Sequence, residues 1–390
     1  MENSIETRCQ HLDEDLTACD LSGALSFPIY QTATFAHRGV GESTGYDYSR
    51  LQNPTRERLE KVVASLESGI DALAFSSGMA AIGTALELFK VGDHIIVDYD
   101  LYGGSIRLFN NISKKNGIEF TSVDVVNDDV SKYIKENTKA VFVETPTNPM
   151  MNVIDIEKLA EITKKNNILL IVDNTFLSPY LQNPLKLGAD IVIHSGTKYL
   201  GGHNDTLSGF IVTNREDIRE KLRFLIKTTG AGLAPFDSWL ILRGIKTLSV
   251  RMDRAEENAI KITNWLKDRK HITKVIYPGL PEHPGHEIMK KQARGFGAML
   301  TFEVDSKEFA LYILKSVRLI RFAESLGGTE TLITYPITQT HADVPAEELE
   351  RNGITDRILR VSVGIEGVND LLKELEQVWS KGEEEIYGRA

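Results

Sequence analysis

Seven short apolar runs recur between residues 72 and 213, separated by helix-like stretches, and several of them are unbroken rather than alternating. They are Ala72–Ser76, His94–Asp98, Phe120–Val123, Ala140–Glu144, Ile168–Asp173, Asp190–His194 and Gly209–Thr213. A strand with one wet face alternates apolar and polar residues, whereas a strand covered on both faces is apolar throughout. Strands of the second kind, alternating with helices, predict an α/β fold with a mostly parallel seven-stranded sheet flanked by helices on both sides. Arg56–Glu67, with Leu59, Val62, Val63 and Leu66 at helical spacing, and Ser77–Leu88 read as two of those helices. One long helical pattern runs from Asp237 to about Arg269, and after it the rhythm changes. Ala298–Val304 and Ile358–Val363 read as strands, and Lys307–Ser316 and Asn369–Ser380 as helices, which suggests a smaller C-terminal α+β domain. Residues 1–55 are irregular and carry turn formers such as Asn53-Pro54. The expected division is therefore 1–55, 56–250 and 251–390.

Composition narrows the function classes. Of 390 residues, 42% are hydrophobic and 26% charged, which fits a globular chain and argues against disordered, collagen-like or coiled-coil architectures. Lys plus Arg number 45 against 55 Asp plus Glu, a formal charge of −10. With no basic surplus or stripe, nucleic acid and anionic membrane surfaces are poor partners. Apolar runs such as Ile168–Val172 fall far short of the ~20 residues that span a bilayer. The polar, acidic start from Met1 to Glu6 does not resemble a secretory signal. Two cysteines, Cys9 and Cys19, make neither a disulfide scaffold nor a zinc pattern, so a reducing cytoplasm is expected. His37, His94 and His341 lack metal-ligand spacing and read as structural; no metal is expected.

Open α/β sheets bind ligands beyond the carboxyl ends of their strands. There the strands end on Glu144-Thr145-Pro146-Thr147-Asn148-Pro149, on Asp173-Asn174-Thr175 and on Ser195-Gly196-Thr197-Lys198. Singly, such residues are commonly loop caps or solvated side chains. Together they meet the needs of pyridoxal 5′-phosphate (PLP). An amine must bind the aldehyde covalently, a carboxylate must keep the pyridine nitrogen protonated, and a cradle must hold the phosphate. Ser76-Ser77-Gly78-Met79 joins a strand to a helix start, where backbone N–H groups favour an anion, and Ser195 and Thr197 flank the lysine with hydroxyls. A G-x-G-x-x-G fingerprint and a Walker A loop are both absent. A nucleotide-binding α/β protein using Ser77-Gly78-Met79, and an aminotransferase, remain as alternatives.

From about Pro28 to Glu376 the chain resembles the trans-sulfuration group of PLP enzymes of cysteine and methionine metabolism. The motifs that carry the resemblance are Tyr46-Asp47-Tyr48-Ser49-Arg50 with Asn53-Pro54-Thr55, Ser76-Ser77-Gly78-Met79-Ala80-Ala81, Tyr102-Gly103-Gly104, Glu144 through Pro149, Val172-Asp173-Asn174-Thr175-Phe176, Ser195-Gly196-Thr197-Lys198-Tyr199, Ser325-Leu326-Gly327-Gly328 and Arg360-Val361-Ser362-Val363-Gly364. The resemblance implies fold type I and a role for each residue. Lys198 would hold PLP covalently and carry the substrate α-proton, and Asp173 would pair with the pyridine nitrogen. Tyr102 would stack on the ring and serve as acid/base toward the leaving sulfur. Gly78, Met79, Ser195 and Thr197 would bind the phosphate. Tyr48 and Arg50, on the N-terminal arm, would reach the phosphate of a neighbouring subunit in a homotetramer built from two catalytic dimers. Arg360 would clamp the substrate α-carboxylate, helped by Asn148, and the Thr331 hydroxyl would keep a contact to the lysine or the carboxylate.

The resemblance also bears on the substrate, a small amino acid. Asp47, Arg107 and Glu330 would face its distal polar end, which suits an amino-acid-bearing side chain better than a methyl thioether. Methionine γ-lyases usually carry cysteine where this chain has Gly104. The implied reaction is replacement or elimination at Cγ, as in cystathionine γ-synthase or γ-lyase. Cystathionine β-lyase, O-acylhomoserine sulfhydrylase and methionine γ-lyase chemistries stand as alternatives.

Overall fold

The computed structural model describes residues 3–11, 24–342 and 344–388; Met1, Glu2 and Cys19 lie outside the described residues. The seven apolar runs form one sheet: β1 Asp71–Phe75, β2 His94–Asp98, β3 Glu119–Val123, β4 Thr138–Glu144, β5 Leu169–Asp173, β6 Ile191–Ser195 and β7 Gly209–Thr213. Their order is β1-β7-β6-β5-β4-β2-β3. The unbroken runs are explained by what lies on either side. Ile95, Phe142, Ile171, Ile193 and Ile211 join one buried cluster, and Ile96, Val141, Val143, Val172 and Val192 join another. Successive side chains point to opposite faces, so both faces must be apolar.

All pairings are parallel except those of β7, which runs antiparallel to β1 and β6. A parallel return needs a crossover, usually a helix. Residues 196–208 form no helix, so the chain rises from the end of β6 as a loop and re-enters beside it. That loop carries Lys198. The ends of β1 and β6 and the start of β7 thus lie side by side, with Ser195 and Phe75 both paired to Gly209.

The helix Pro54–Glu67 begins where Asn53 caps the Thr55 amide and Pro54 occupies the first turn. The helix Gly78–Leu86 begins where the Ser77 hydroxyl accepts from the Ala80 amide at 3.1 Å. The continuous helix expected over 237–269 is instead two, Pro235–Ile245 and Leu248–Lys267. The Gly244 carbonyl leaves the helical ladder to accept from the Thr247 amide (3.1 Å) and from Arg251 Nη2 (2.9 Å). Gly244 itself lies so close to the lysine loop that a Cβ there would be 2.2 Å from the Gly201 carbonyl. Residue 250 falls inside the second of these helices, which packs on the second sheet.

That sheet has the order β10-β11-β12-β9-β8, with β8 Ile272–Ile276, β9 Met299–Val304, β10 Arg321–Phe322, β11 Leu332–Thr334 and β12 Ile358–Ser362. Only the β10–β11 pair is parallel. Its central strand β12 carries Arg360, paired with Thr334 and Thr301.

Candidate active site

A cavity of about 550 Å³ opens at the carboxyl edge of the large sheet, between it and the loops of the small domain. It gathers residues from separate segments of both domains, among them Ser77, Gly78 and Met79; Tyr102 and Arg107; Glu144 and Asn148; Asp173 and Thr175; Ser195, Thr197 and Lys198; Glu324 and Ser325; and Arg360.

Lys198 is mostly buried, and its Nζ donates to Ser325 Oγ at 2.8 Å. Burial, and then the nearby Arg360 charge, push its pKa down to about 8, with Glu324 acting in the opposite direction. Asp173 ends β5 and accepts from the Thr175 amide (3.0 Å) and hydroxyl (2.5 Å). Burial raises its pKa, and the Thr175 donors pull the other way. Glu144 stands opposite Asp173 in the β4–β5 register. Burial and then the Asp173 charge hold its pKa well up. Its carboxylate accepts from the Tyr102 amide at 3.0 Å, which fixes the start of the Tyr102 segment. Gly104 matters here, because a Cβ at this position would be 2.4 Å from the Tyr102 ring.

Arg360 is fully buried. Its Nη1 donates to Asn148 Oδ1 at 2.7 Å, and its Nη2 donates to the Ser325 carbonyl (2.9 Å) and Thr334 Oγ1 (3.0 Å). Its Nε has no partner among the described residues. Burial lowers its pKa to about 10, so it stays cationic at neutral pH.

The phosphate cradle follows from strand adjacency. A Cβ on Gly78 would lie 3.0 Å from Ser195 Cβ, and one on Gly209 would lie 2.1 Å from the Ser77 carbonyl. Only glycine at both positions lets the helix Gly78–Leu86 seat its N-terminus beside Ser195, where its first amides lack helical partners. Thr197 Oγ1, by contrast, is engaged with the backbone of Ser208.

Five expected residues lie outside this cavity. Asp47, Tyr48 and Arg50 belong to a loop on the far side of β1. Asp47 pairs with His37, and Arg50 donates to the Lys227 carbonyl and sits 5.6 Å from the Tyr48 ring. Glu330 and Thr331 require a correction. The turn at Ser325 (φ 84°) and Gly327 (φ 76°) reverses the chain, so residues 324–325 face Lys198 while 330–331 do not. Glu330 accepts from Asn204 at 2.8 Å in an adjoining groove. The Thr331 hydroxyl donates to Glu366 at 2.7 Å and accepts from the Gly364 amide at 3.0 Å. The acid that faces the cavity with Arg107 is Glu324, and the hydroxyl on the lysine is Ser325. Glu324, Ser325, Glu144 and Thr175 received no role from the sequence, although the last three lie inside motifs it singled out.

The sequence profile of the Cys/Met metabolism PLP-dependent enzyme family matches residues 7–379. The chain belongs to this family. It is 49% identical over 378 residues to a cystathionine γ-synthase/O-acetylhomoserine (thiol)-lyase of Bacillus subtilis, covering 97% of this chain and 96% of that one. It is 46% identical over 381 residues to a cystathionine β-lyase of Lactococcus lactis, covering 97% and 99%. The crystal structure of cystathionine γ-lyase from Lactobacillus plantarum complexed with L-serine superposes with a TM-score of 0.93 at 43% identity, over 97% of this chain and 99% of that one. The fold is type I, and the cofactor is PLP.

The residues present fit that cofactor. Asp173 forms no ion pair among the described residues, and its raised pKa marks a carboxyl short of a counter-charge, which a protonated ring nitrogen provides. The buried amine of Lys198 shares the cavity with this carboxyl and with the glycine-lined helix start. When bound, PLP supplies an aldehyde for covalent attachment and a ring that absorbs the charge left by bond breaking at the amino-acid α-carbon. A neutral amine is what attaches to an aldehyde. The rate of PLP uptake by apo-protein should therefore rise about tenfold per pH unit below 8 and level off above it, as set by the Lys198 titration. Stopped-flow absorbance measures this. A rate still climbing at pH 10 would mean that burial does not depress the lysine.

Proposed function

We propose that this chain is a trans-sulfuration enzyme acting at Cγ of cystathionine and of O-acylhomoserine, as a cystathionine γ-synthase or γ-lyase. One observation carries the reading: the cavity presents charge at two places. Arg360, with an unpartnered Nε, suits an α-carboxylate. Arg107 and Glu324, along the same cavity, suit the carboxylate and ammonium at the distal end of a substrate that is an amino acid at both ends. A methyl thioether has no charged or hydrogen-bonding group to offer either residue.

In this reading Arg360 and Asn148 fix the carboxylate, and Asp173 fixes the ring. With PLP bound, Lys198 as a free neutral amine would take the α-proton, pass it on to the cofactor framework, and only then, neutral again, take a β-proton. Ser325 Oγ holds the lysine in place between these transfers, and Tyr102 protonates the leaving sulfur. Gly78, Met79 and Ser195 hold the phosphate, joined by Thr197 when its hydroxyl turns from the Ser208 carbonyl.

The assay offers L-cystathionine alone and O-acetylhomoserine with cysteine. The expected products are 2-oxobutyrate, cysteine and ammonia from the first, and cystathionine from the second. Pyruvate with homocysteine as the main products would assign cleavage at Cβ, and methanethiol from methionine as the preferred reaction would overturn the two-ended reading.

The working form is a cytoplasmic homotetramer of two catalytic dimers, in which Tyr48 and Arg50 of one subunit complete the phosphate site of the next. Their position outside their own chain's cavity supports this, as does the exposed Tyr48 ring. Mixing Lys198→Ala with Arg50→Ala subunits should then restore activity through hybrids in which one site is intact.

A further inference from the structure

We propose that Arg56 is a positioning residue for the active site of a second copy of the chain, acting by gripping the loop that presents Tyr48 and Arg50. This rests on the shared-site reading above.

Arg56 sits in the first turn of the helix Pro54–Glu67 and is only 4% exposed. Its Nη1 donates to the Ser49 carbonyl at 2.8 Å, and its Nη2 donates to the carbonyls of Leu51 (3.1 Å) and Arg50 (3.5 Å). Three consecutive carbonyls converging on one guanidinium oblige the loop to curl around it. The planar fork of arginine can serve them together, whereas the ammonium of lysine is a point charge on a flexible stem.

The other side of the guanidinium is anchored. Its Nε lies 3.7 Å from Glu60, and Glu60 binds Arg223 at 2.7 Å and accepts from the Ala74 amide at 3.0 Å. Arg223 in turn holds Asp71 through two hydrogen bonds of 2.6 and 2.8 Å. Asp71 and Ala74 belong to β1, the strand that runs directly into the Ser77-Gly78 cradle. One charge ladder therefore ties the loop offered to the second copy to the strand that leads into this copy's own cradle. None of these groups lines the PLP cavity, so Arg56 acts through the loop and not on the reacting atoms.

The test uses holoenzyme carrying Arg56→Lys, with Arg50→Ala as control. Arg56→Lys should lose activity and weaken PLP binding by roughly ten- to a hundredfold, and backbone amides at 49–53 should exchange hydrogen faster. Each variant is then mixed with Lys198→Ala subunits, with exchange verified by mass spectrometry. Half of the randomly mixed dimers are hybrids with one intact site of two, so activity should return to about a quarter of wild type. Recovery with both variants supports the proposal. Recovery with Arg50→Ala but not with Arg56→Lys overturns it and leaves the shared site standing. Failure of Arg50→Ala to recover overturns the shared site and the proposal with it. Unchanged PLP affinity and unchanged exchange in Arg56→Lys also overturn the proposal.

Discussion

Lys198→Ala should lack the visible band of the covalent lysine adduct that wild type gains when PLP is added, and its turnover should fall by on the order of 10²–10⁴-fold from the lost proton transfers alone. Two independent features make the expected loss this large. The first is that burial and Arg360 hold the amine near pKa 8, so a substantial fraction is neutral at physiological pH. The second is the hydrogen bond to Ser325 Oγ, which holds Nζ at one point of the cavity. Ser325 sits at φ 84°, a left-handed conformation that is costly for a residue with a Cβ. Its hydroxyl meets the lysine while its carbonyl meets Arg360. A small primary amine added to the medium should return part of the activity of Lys198→Ala, because it replaces the proton carrier but not its placement. Absorbance spectra and steady-state rates measure both effects. A variant that keeps the visible band and wild-type turnover would remove Lys198 from the chemistry.

The large sheet was legible because burial on two faces leaves a mark in one dimension. Strands such as Ile168–Asp173 show an unbroken apolar run, and the residue that ends such a run lies at the ligand edge by topology alone. Lys198, Asp173, Asn148 and the Ser77-Gly78 turn were found this way, and the family resemblance extended the list to Tyr102, Arg107 and Arg360. What escaped was set by three-dimensional reversals. Ser325 and Thr331 are hydroxyl residues six positions apart in one loop, and their sequence context does not say which one turns inward. The positive-φ turn through Gly327 decides it, sending Thr331 to Glu366. The same turn exchanges Glu330 for Glu324. The break between Ile245 and Leu248 escaped for a related reason. It depends on the Gly244 carbonyl being claimed by Thr247 and Arg251, contacts that leave the hydrophobic periodicity intact. The β8, β10 and β11 strands of the small domain went unread. The two residues of β10 are both exposed, and β8 has a single fully buried residue, so the apolar signal is weak.

Arg360→Ala should raise KM for amino-acid substrates by roughly 30- to 1,000-fold while leaving PLP affinity within about twofold of wild type. A buried cation is costly to maintain without an anion. Among the described residues Arg360 makes no ion pair; its partners are an amide oxygen, a hydroxyl and a backbone carbonyl. Those acceptors orient the fork without neutralising it, and its charge persists because a pKa of about 10 remains well above neutrality. A substrate carboxylate thus meets a desolvated, preoriented cation, the situation in which a charge-assisted pair contributes most. Arg360→Lys should recover only part of the loss, since an ammonium offers no planar bidentate face. A second readout separates this role from a purely structural one. Arg360 is the second cause, after burial, of the low Lys198 pKa, so its removal must raise that pKa. The midpoint of the pH dependence of PLP uptake by apo-protein should then move above 8 in Arg360→Ala, while the thermal melt reports whether the fold is intact. Equal losses of cofactor and substrate affinity, or an unmoved midpoint in a folded variant, would take the carboxylate clamp away from Arg360.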